Sequence, residues 1–227
     1  MSTFAIKLIA VVTMVIDHVG LFFFPGVTEL RMIGRISFPL FAWLIANGAE
    51  HSKNTTLYLK RLAILALVSQ IPFFFANNLI GVDPMLLNVV FTLALGLAAI
   101  MGTKRYDDTP TRAVIIGAFA FVAQMINSDY GALGVLSIVA FSLFAKYPKR
   151  LIAAQMLIFF FPAIAIITEF FMVGAREGLY LPIGWMAIFA LPIILAYNNR
   201  EGIKARNFFY IFYPLQYVVL YIAKVML

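Results

Sequence analysis

The sequence predicts an all-α, polytopic integral membrane bundle of about nine transmembrane helices (range eight to ten) with a cytoplasmic N-terminus. Three observations predict it. Hydrophobic residues make up 63% of the 227 residues and charged residues only 12%, giving a mean hydropathy of +0.97, well above that of soluble domains. The apolar residues fall into runs of about 16 to 22, close to the length that crosses a bilayer, without the alternation of barrel strands. Basic residues return in every second connection, as cytoplasmic loops require.

The first run, 4–24, continues through Phe22, Phe23 and Phe24 to Pro25. No small-residue cleavage site interrupts it, so it reads as a mature helix and not a signal peptide. The second, 30–48, starts at Arg31 and Arg35 and closes at Gly48, before a charged cluster. Runs 57–77, with Pro72 inside, and 85–103 follow, the latter stopped by Lys104 and Arg105. Runs 112–127 and 131–147 flank the turn "NSDYG", and could together form a hairpin dipping partway into the bilayer. Run 151–172 opens after Lys149 and Arg150, and 182–197 and 207–226 contain Pro192 and Pro214. Prolines 39, 72, 162, 192 and 214 interrupt or end helices and free carbonyls that the bundle must satisfy. Nothing resembles a linker, repeat or soluble module, so residues 1–227 form one domain.

Loops two, four, six and eight carry Lys53, Lys60 and Arg61, then Lys104, Arg105 and Arg112, then Lys146, Lys149 and Arg150, then Arg200, Lys204 and Arg206. These are 12 of the 17 basic residues. The odd loops hold Glu29, Asp83, Asp129 and the pair Arg176 and Glu177, and face outward. The net charge of +7 is therefore a topology signal and not a nucleic-acid patch. With no Cys, thiol catalysis and disulfides are excluded, and two distant histidines without carboxylates at ligand spacing predict no metal site. No dinucleotide, Walker A or nucleophile-elbow pattern occurs.

The stretch "MVIDHVGLFFFPG" places Asp17 and His18 in hydrocarbon, where a charge needs a partner. Arg35, one turn after Arg31 on the neighbouring antiparallel helix, is the natural partner of Asp17. Such a pair either fixes the helix hairpin or serves chemistry. His18 is either a hydrogen-bonded packing histidine or, with a carboxylate nearby, a general base. Adjacent helical residues point about 100° apart, so Asp17 and His18 need not touch. Arg31, Gln70, Asn88, Asp129, Tyr130 and Glu169 share the outward half, which predicts a polar cavity opening outward. At the cytoplasmic end, His51, Lys53, Lys60 and Arg61 suit a phosphate-bearing ligand such as a nucleotide or coenzyme A. The same residues also suit lipid headgroups and topology.

The segments "IKLIAVVTMVIDHVGLFFFP", "LRMIGRISFPLFAWLIANGAEHSKNTTLYLKRLAILALVSQIPF", "NVVFTLALGLAAI", "DYGALGVLSI" and "FFYIFYPLQYVVLYI" together resemble the TraX family of bacterial membrane proteins. The family's motifs fall on Asp17, His18, Arg31, Gly34, Arg35 and Pro39, on His51, Tyr58, Arg61 and Pro72, and on Asn88, Asp129, Gly131 and Tyr213. Two positions depart from it: Gln70 stands where the family commonly has Glu, and Gln216 where it commonly has His.

The family is named for a conjugative-plasmid protein that acetylates the pilin amino terminus. The resemblance implies a multi-pass acyltransferase of the bacterial inner membrane, surrounded by lipid, with acetyl-CoA as co-substrate. Its acceptor would be an amine or hydroxyl on a pilin or another exported molecule. On this expectation His51, Lys53, Lys60 and Arg61 bind acetyl-CoA. His18, oriented by Asp17, takes the acceptor's proton, with His51 as the alternative base. Arg35, aided by Asn88, stabilises the oxyanion, and Arg31, Asn88, Asp129, Tyr130 and Gln70 bind substrate. A small transporter and a non-catalytic assembly factor for an envelope protein are the alternatives.

Overall fold

The structure, a computed structural model, describes the backbone of residues 1–173, 183–203 and 206–227, and their side chains except 161–173, 206 and 207. The side chains of Pro162, Glu169 and Arg206, and the whole of Arg176, Glu177 and Lys204, lie outside the described residues. All regular elements among them are helical. They are α1 Thr3–Phe23, α2 Thr28–Gly34, α3 Ser37–His51, α4 Thr55–Leu79, α5 Val89–Thr103, α6 Thr109–Met125, α7 Gly131–Leu143, α8 Pro148–Val173, a 3-10 helix Ile183–Phe189, α9 Ala190–Leu195 and α10 Arg206–Met226.

The nine apolar runs reappear as helices, the run 182–197 being divided into the 3-10 helix Ile183–Phe189 and α9, and two further differences have physical causes. The second run is divided into α2 and α3 at Arg35–Ile36, because Pro39 has no N–H to donate to the Arg35 carbonyl and its ring crowds that turn. The fourth helix starts at Val89 and not at 85, since the Asn88 side chain accepts from the Val90 N–H and sets the boundary. Among the described residues, four helical stretches are long and apolar enough to cross a membrane: 3–23, 28–51, 55–79 and 208–226. Helices α5, α6 and α7 are apolar but shorter.

The central element is α3, which packs on α1, α5, α7 and α9. Its Phe38, Leu40, Trp43 and Ile45 belong to the buried core. Outside it, α10 lies against α4 and α1, and α6 lies against α5 and α7. The outward faces of α4, α6 and α10 are apolar, with Ile64, Leu67, Val68 and Ile71 exposed on α4, Val114, Phe121 and Met125 on α6, and Ile211, Leu215 and Val219 on α10. Exposed apolar area on that scale is unfavourable in water and matched to lipid. This is a membrane protein.

A parallel bridge joins Leu87 to Ser128, with Leu87 N–H donating to Asn127 and Asp129 N–H to Leu87. It pins the turn before α7 to the start of α5. Within that turn Tyr130 has a φ of +64°, a left-handed conformation that is costly for a bulky side chain. The N-terminus is fixed to a distant loop: Thr3 N–H donates to Arg200 at 2.8 Å, Phe4 N–H to Glu201 at 3.0 Å and Asn198 N–H to Met1 at 2.9 Å, and the terminal amine reaches the Ala196 carbonyl.

Candidate functional site

At the end of the bundle where α1 turns into α2, Asp17 is held by two guanidinium groups. Arg31 Nη1 donates to Oδ2 at 2.6 Å and to the Asp17 carbonyl at 3.2 Å, while Arg35 Nη2 donates to both carboxylate oxygens at 2.9 and 3.0 Å. Arg31 and Arg35 are one turn apart and present one face to α1. The close approach depends on Gly34, where a Cβ would fall on the Asp17 carboxylate itself. The Arg35 guanidinium stands 5.9 Å from the centre of the Tyr130 ring, which stacks on Phe38 at 3.8 Å. The left-handed turn therefore has a visible result: it delivers an aromatic face to a half-buried cation.

His18 faces a different helix. Its Nε2 is 3.0 Å from the Tyr217 hydroxyl of α10, and the rings lie 4.9 Å apart. One turn below on α1, the Met14 sulfur accepts from the Gln216 amide at 3.6 Å. Asp17 is committed to Arg31 and Arg35 and makes no hydrogen bond with His18, so the expected orientation of His18 by its neighbour falls to Tyr217. Around this contact, His18 Nδ1, Gln216 Oε1 and the Tyr213 hydroxyl are buried without a hydrogen-bond partner among the described residues. Native buried polar groups are satisfied in the great majority of cases.

A cavity of about 540 Å³ reaches this cluster from the opposite end of the bundle. Its mouth is formed by Thr3, His51, Asn54, Arg61, Asn199 and Glu201, and its inner end by Met14, Val89 and Tyr213. Eleven residues separate Thr3 from Met14 on α1, which at the helical rise makes the cavity roughly 16 Å deep. Lys7 and Tyr58 line the wall between, the former with its ammonium 5.7 Å from the Phe209 ring.

The structure brings some of the expected site residues together and separates others. His51 and Arg61 line the cavity, whereas Lys53 and Lys60 are exposed and outside its lining. The reason is helical phase: Lys60 precedes Arg61 by one residue and so faces about 100° away. The large cavity opens at the His51 end, not at the Asp17 end as expected from the sequence. At the Asp17 end the polar groups take up one another. Gln70 Oε1 accepts from the Asn88 backbone and side chain at 3.0 and 2.8 Å, and Asn88 Nδ2 also donates to the Ala66 carbonyl. Asp129 accepts at its carbonyl from Thr92 Oγ1, and its carboxylate makes no ion pair among the described residues.

Tyr217, Gln216 and Lys7 were given no functional role by the sequence reading, and Tyr213 and Tyr58 entered it through family motifs alone. The spacing of Tyr213, Gln216 and Tyr217, at i, i+3 and i+4, does place three polar side chains on one face of an otherwise apolar helix. That signal identifies the face but not its partner, which is 199 residues away.

Fold and site together define a helical membrane protein with a half-open cavity running along α1 toward polar groups that have no partner among the described residues. The chain belongs to the TraX family: the family model described as TraX protein matches residues 2–224. It is 29% identical to the probable fimbrial assembly protein FimC, serogroup H1, of Dichelobacter nodosus, over 100% of this chain and 97% of that protein. It is 26% identical to the uncharacterized protein RP591 of Rickettsia prowazekii (strain Madrid E), over 95% of this chain and 89% of that protein. No solved structure matches it.

Proposed function

We propose that this protein is a multi-pass acyltransferase of the bacterial inner membrane that acts in pilus or fimbrial assembly, moving an acetyl group from acetyl-CoA to an amine or hydroxyl of an exported substrate such as a pilin. The name of the Dichelobacter nodosus relative and the family support the assembly role. The alternation of basic loops supports a cytoplasmic N-terminus and about nine crossings, and on that orientation the cavity mouth faces the cytosol, where acetyl-CoA is made.

The observation that carries the reading is the course of the cavity, from Arg61 and His51 at its mouth to Met14 and Tyr213, one helical turn from His18 and Tyr217. Its depth of roughly 16 Å is comparable to an extended pantetheine arm. Arg61 and His51 meet the phosphates, the nucleotide stays at the mouth, and the apolar wall of Val11, Leu44, Leu62 and Leu65 covers the arm. The thioester is then level with His18. The acceptor nitrogen attacks the acetyl carbon while His18 removes its proton. As the carbon–sulfur bond breaks, the electron pair leaves on sulfur and the proton passes from His18 to give the free thiol. The two guanidiniums on Asp17 stay on the far side of α1 and serve to hold the α1–α2 hairpin.

Membranes containing wild-type protein or His18→Ala at matched levels, given radiolabelled acetyl-CoA and candidate pilins, test this reading. Label that requires wild-type protein and disappears in His18→Ala supports it. Equal label in both moves the base to His51. No label above empty membranes overturns the enzyme reading in favour of an assembly factor or transporter.

A further inference from the structure

Five buried side-chain atoms lack hydrogen-bond partners among the described residues: His18 Nδ1, Arg35 Nε, Ser69 Oγ, Tyr213 Oη and Gln216 Oε1. Of these, Tyr213 lines the inner end of the cavity, and His18, Ser69 and Gln216 lie within about one helical turn of lining residues. Tyr213 and Gln216 share a face of α10, and His18 is one turn beyond Met14, which lines the cavity. Ser69 is one turn beyond Leu65, another lining residue, and one turn before Phe73, whose ring lies 5.2 Å from that of Tyr217. Orphaned polar atoms cost free energy singly, and their convergence at the end of a cavity marks a place where a polar ligand group belongs.

The donors and acceptors of the cluster can be counted against the proposed reaction. A neutral imidazole nitrogen with a free lone pair and the Gln216 carbonyl oxygen are acceptors, whereas a phenol can donate. An attacking nucleophile brings N–H or O–H hydrogens to the acceptors, and an acyl oxygen that gains negative charge needs a donor. Of the donors expected from the sequence, Arg35 has its Nη2 on Asp17 and, with its unpartnered Nε, lies outside the cavity lining, while Asn88 has its amide on Ala66 and Gln70. Tyr213 lines the cavity, its hydroxyl near Tyr217 and the Val89 backbone but without a well-formed hydrogen bond to either.

We infer that Tyr213 is a catalytic residue, its hydroxyl donating to the acyl oxygen at the inner end of the cavity while Gln216 Oε1 accepts a hydrogen of the incoming nucleophile. The assignment rests on the acyl-transfer reading above. The Tyr213 proton stays on the phenol throughout: the hydrogen bond strengthens as the carbonyl becomes an oxyanion and relaxes when the carbon–sulfur bond breaks and the carbonyl reforms.

Tyr213→Phe and Gln216→Leu in the full-length protein, purified in detergent with the wild type as reference, test it. Removing a single oxyanion donor lowers kcat by about 10²–10³-fold, so Tyr213→Phe is expected to lose that much with KM for acetyl-CoA unchanged. A ketone analogue of acetyl-CoA, carrying carbon-13 at its carbonyl, reports the same contact without turnover. Its infrared carbonyl band should move to lower frequency on binding wild type and Gln216→Leu, and not on binding Tyr213→Phe. A wild type that transfers acetyl groups, together with a Tyr213→Phe variant that keeps kcat within about 3-fold or an identical carbonyl band, overturns the inference and leaves the acyltransferase reading standing. A wild type without transfer overturns both.

Discussion

Asp17 and His18 are neighbours in the chain, yet they point into different interfaces: Asp17 binds Arg31 and Arg35 of the α2 segment, and His18 meets Tyr217 of α10. The rotation of about 100° per helical residue is sufficient to divide them. One turn of α1 thereby carries a structural ion cluster on one side and the proposed chemistry on the other.

The ion cluster should dominate stability. Asp17→Asn leaves two half-buried guanidiniums without a counter-charge, and since breaking a fully buried pair costs about 3–5 kcal/mol, a loss of about 2–3 kcal/mol is expected here. Thermal unfolding of the detergent-purified variant should show a large drop in Tm. A Tm unchanged from wild type would mean that solvent, and not Asp17, balances the two arginines.

Glycine positions give a paired comparison. At Gly34 a Cβ would meet the Asp17 carboxylate, so Gly34→Ala must displace α2 and is expected to lose about 1–3 kcal/mol. At Gly117, within α6, a Cβ meets nothing within 4 Å, and Gly117→Ala should be neutral or stabilising by up to about 1 kcal/mol. Equal Tm values for the two variants would show that the packing of α2 on Asp17 is looser than described.

Asn88 tests the joint between α4 and α5. Asn88→Ala removes the cap of α5 and the side-chain hydrogen bonds to Gln70 Oε1 and the Ala66 carbonyl, while the Asn88 backbone N–H still serves Gln70 Oε1. Loss of the cap costs about 0.5–2 kcal/mol, and each lost side-chain hydrogen bond adds about 0.5–1.5 kcal/mol. Stability should fall while KM for acetyl-CoA holds, and a selective rise in KM would instead place Asn88 in the substrate site.

Arg61 and Lys60 separate cavity binding from surface charge. Loss of a charge-assisted hydrogen bond to phosphate corresponds to about a 10- to 100-fold rise in KM for acetyl-CoA in Arg61→Ala, whereas Lys60→Ala should stay within about 2-fold. Equal effects from both substitutions would point to a general electrostatic pull at the membrane surface in place of a site at the cavity mouth.

The helices were legible in the sequence because apolar runs and Pro, Gly and charged breaks are local signals. The Asp17–Arg35 contact was legible for a related reason, since a short connection makes α1 and the α2 segment neighbours, and Arg31 joins it by the i, i+4 rule. The Tyr217–His18 contact was not, because nothing local relates two helices at opposite ends of the chain. The outward half is a different case. Polar residues at depth were counted as lining an open space, but Gln70 and Asn88 satisfy one another and need none. An unmet hydrogen bond, and not polarity itself, distinguishes a site from a joint, and that property exists only in three dimensions.

The backbone zipper between residues 1–4 and the 196–201 loop also fixes an order of events during biosynthesis. Helix α1 precedes that loop and α10 in the chain, so it is made well before the surfaces it closes against. Until then α1 holds only its hairpin with α2 and α3, and the mouth has no far wall. The pocket is thus closed late in synthesis: a ribosome stalled before residue 196 would leave a hairpin anchored by Asp17 but no vessel for a ligand.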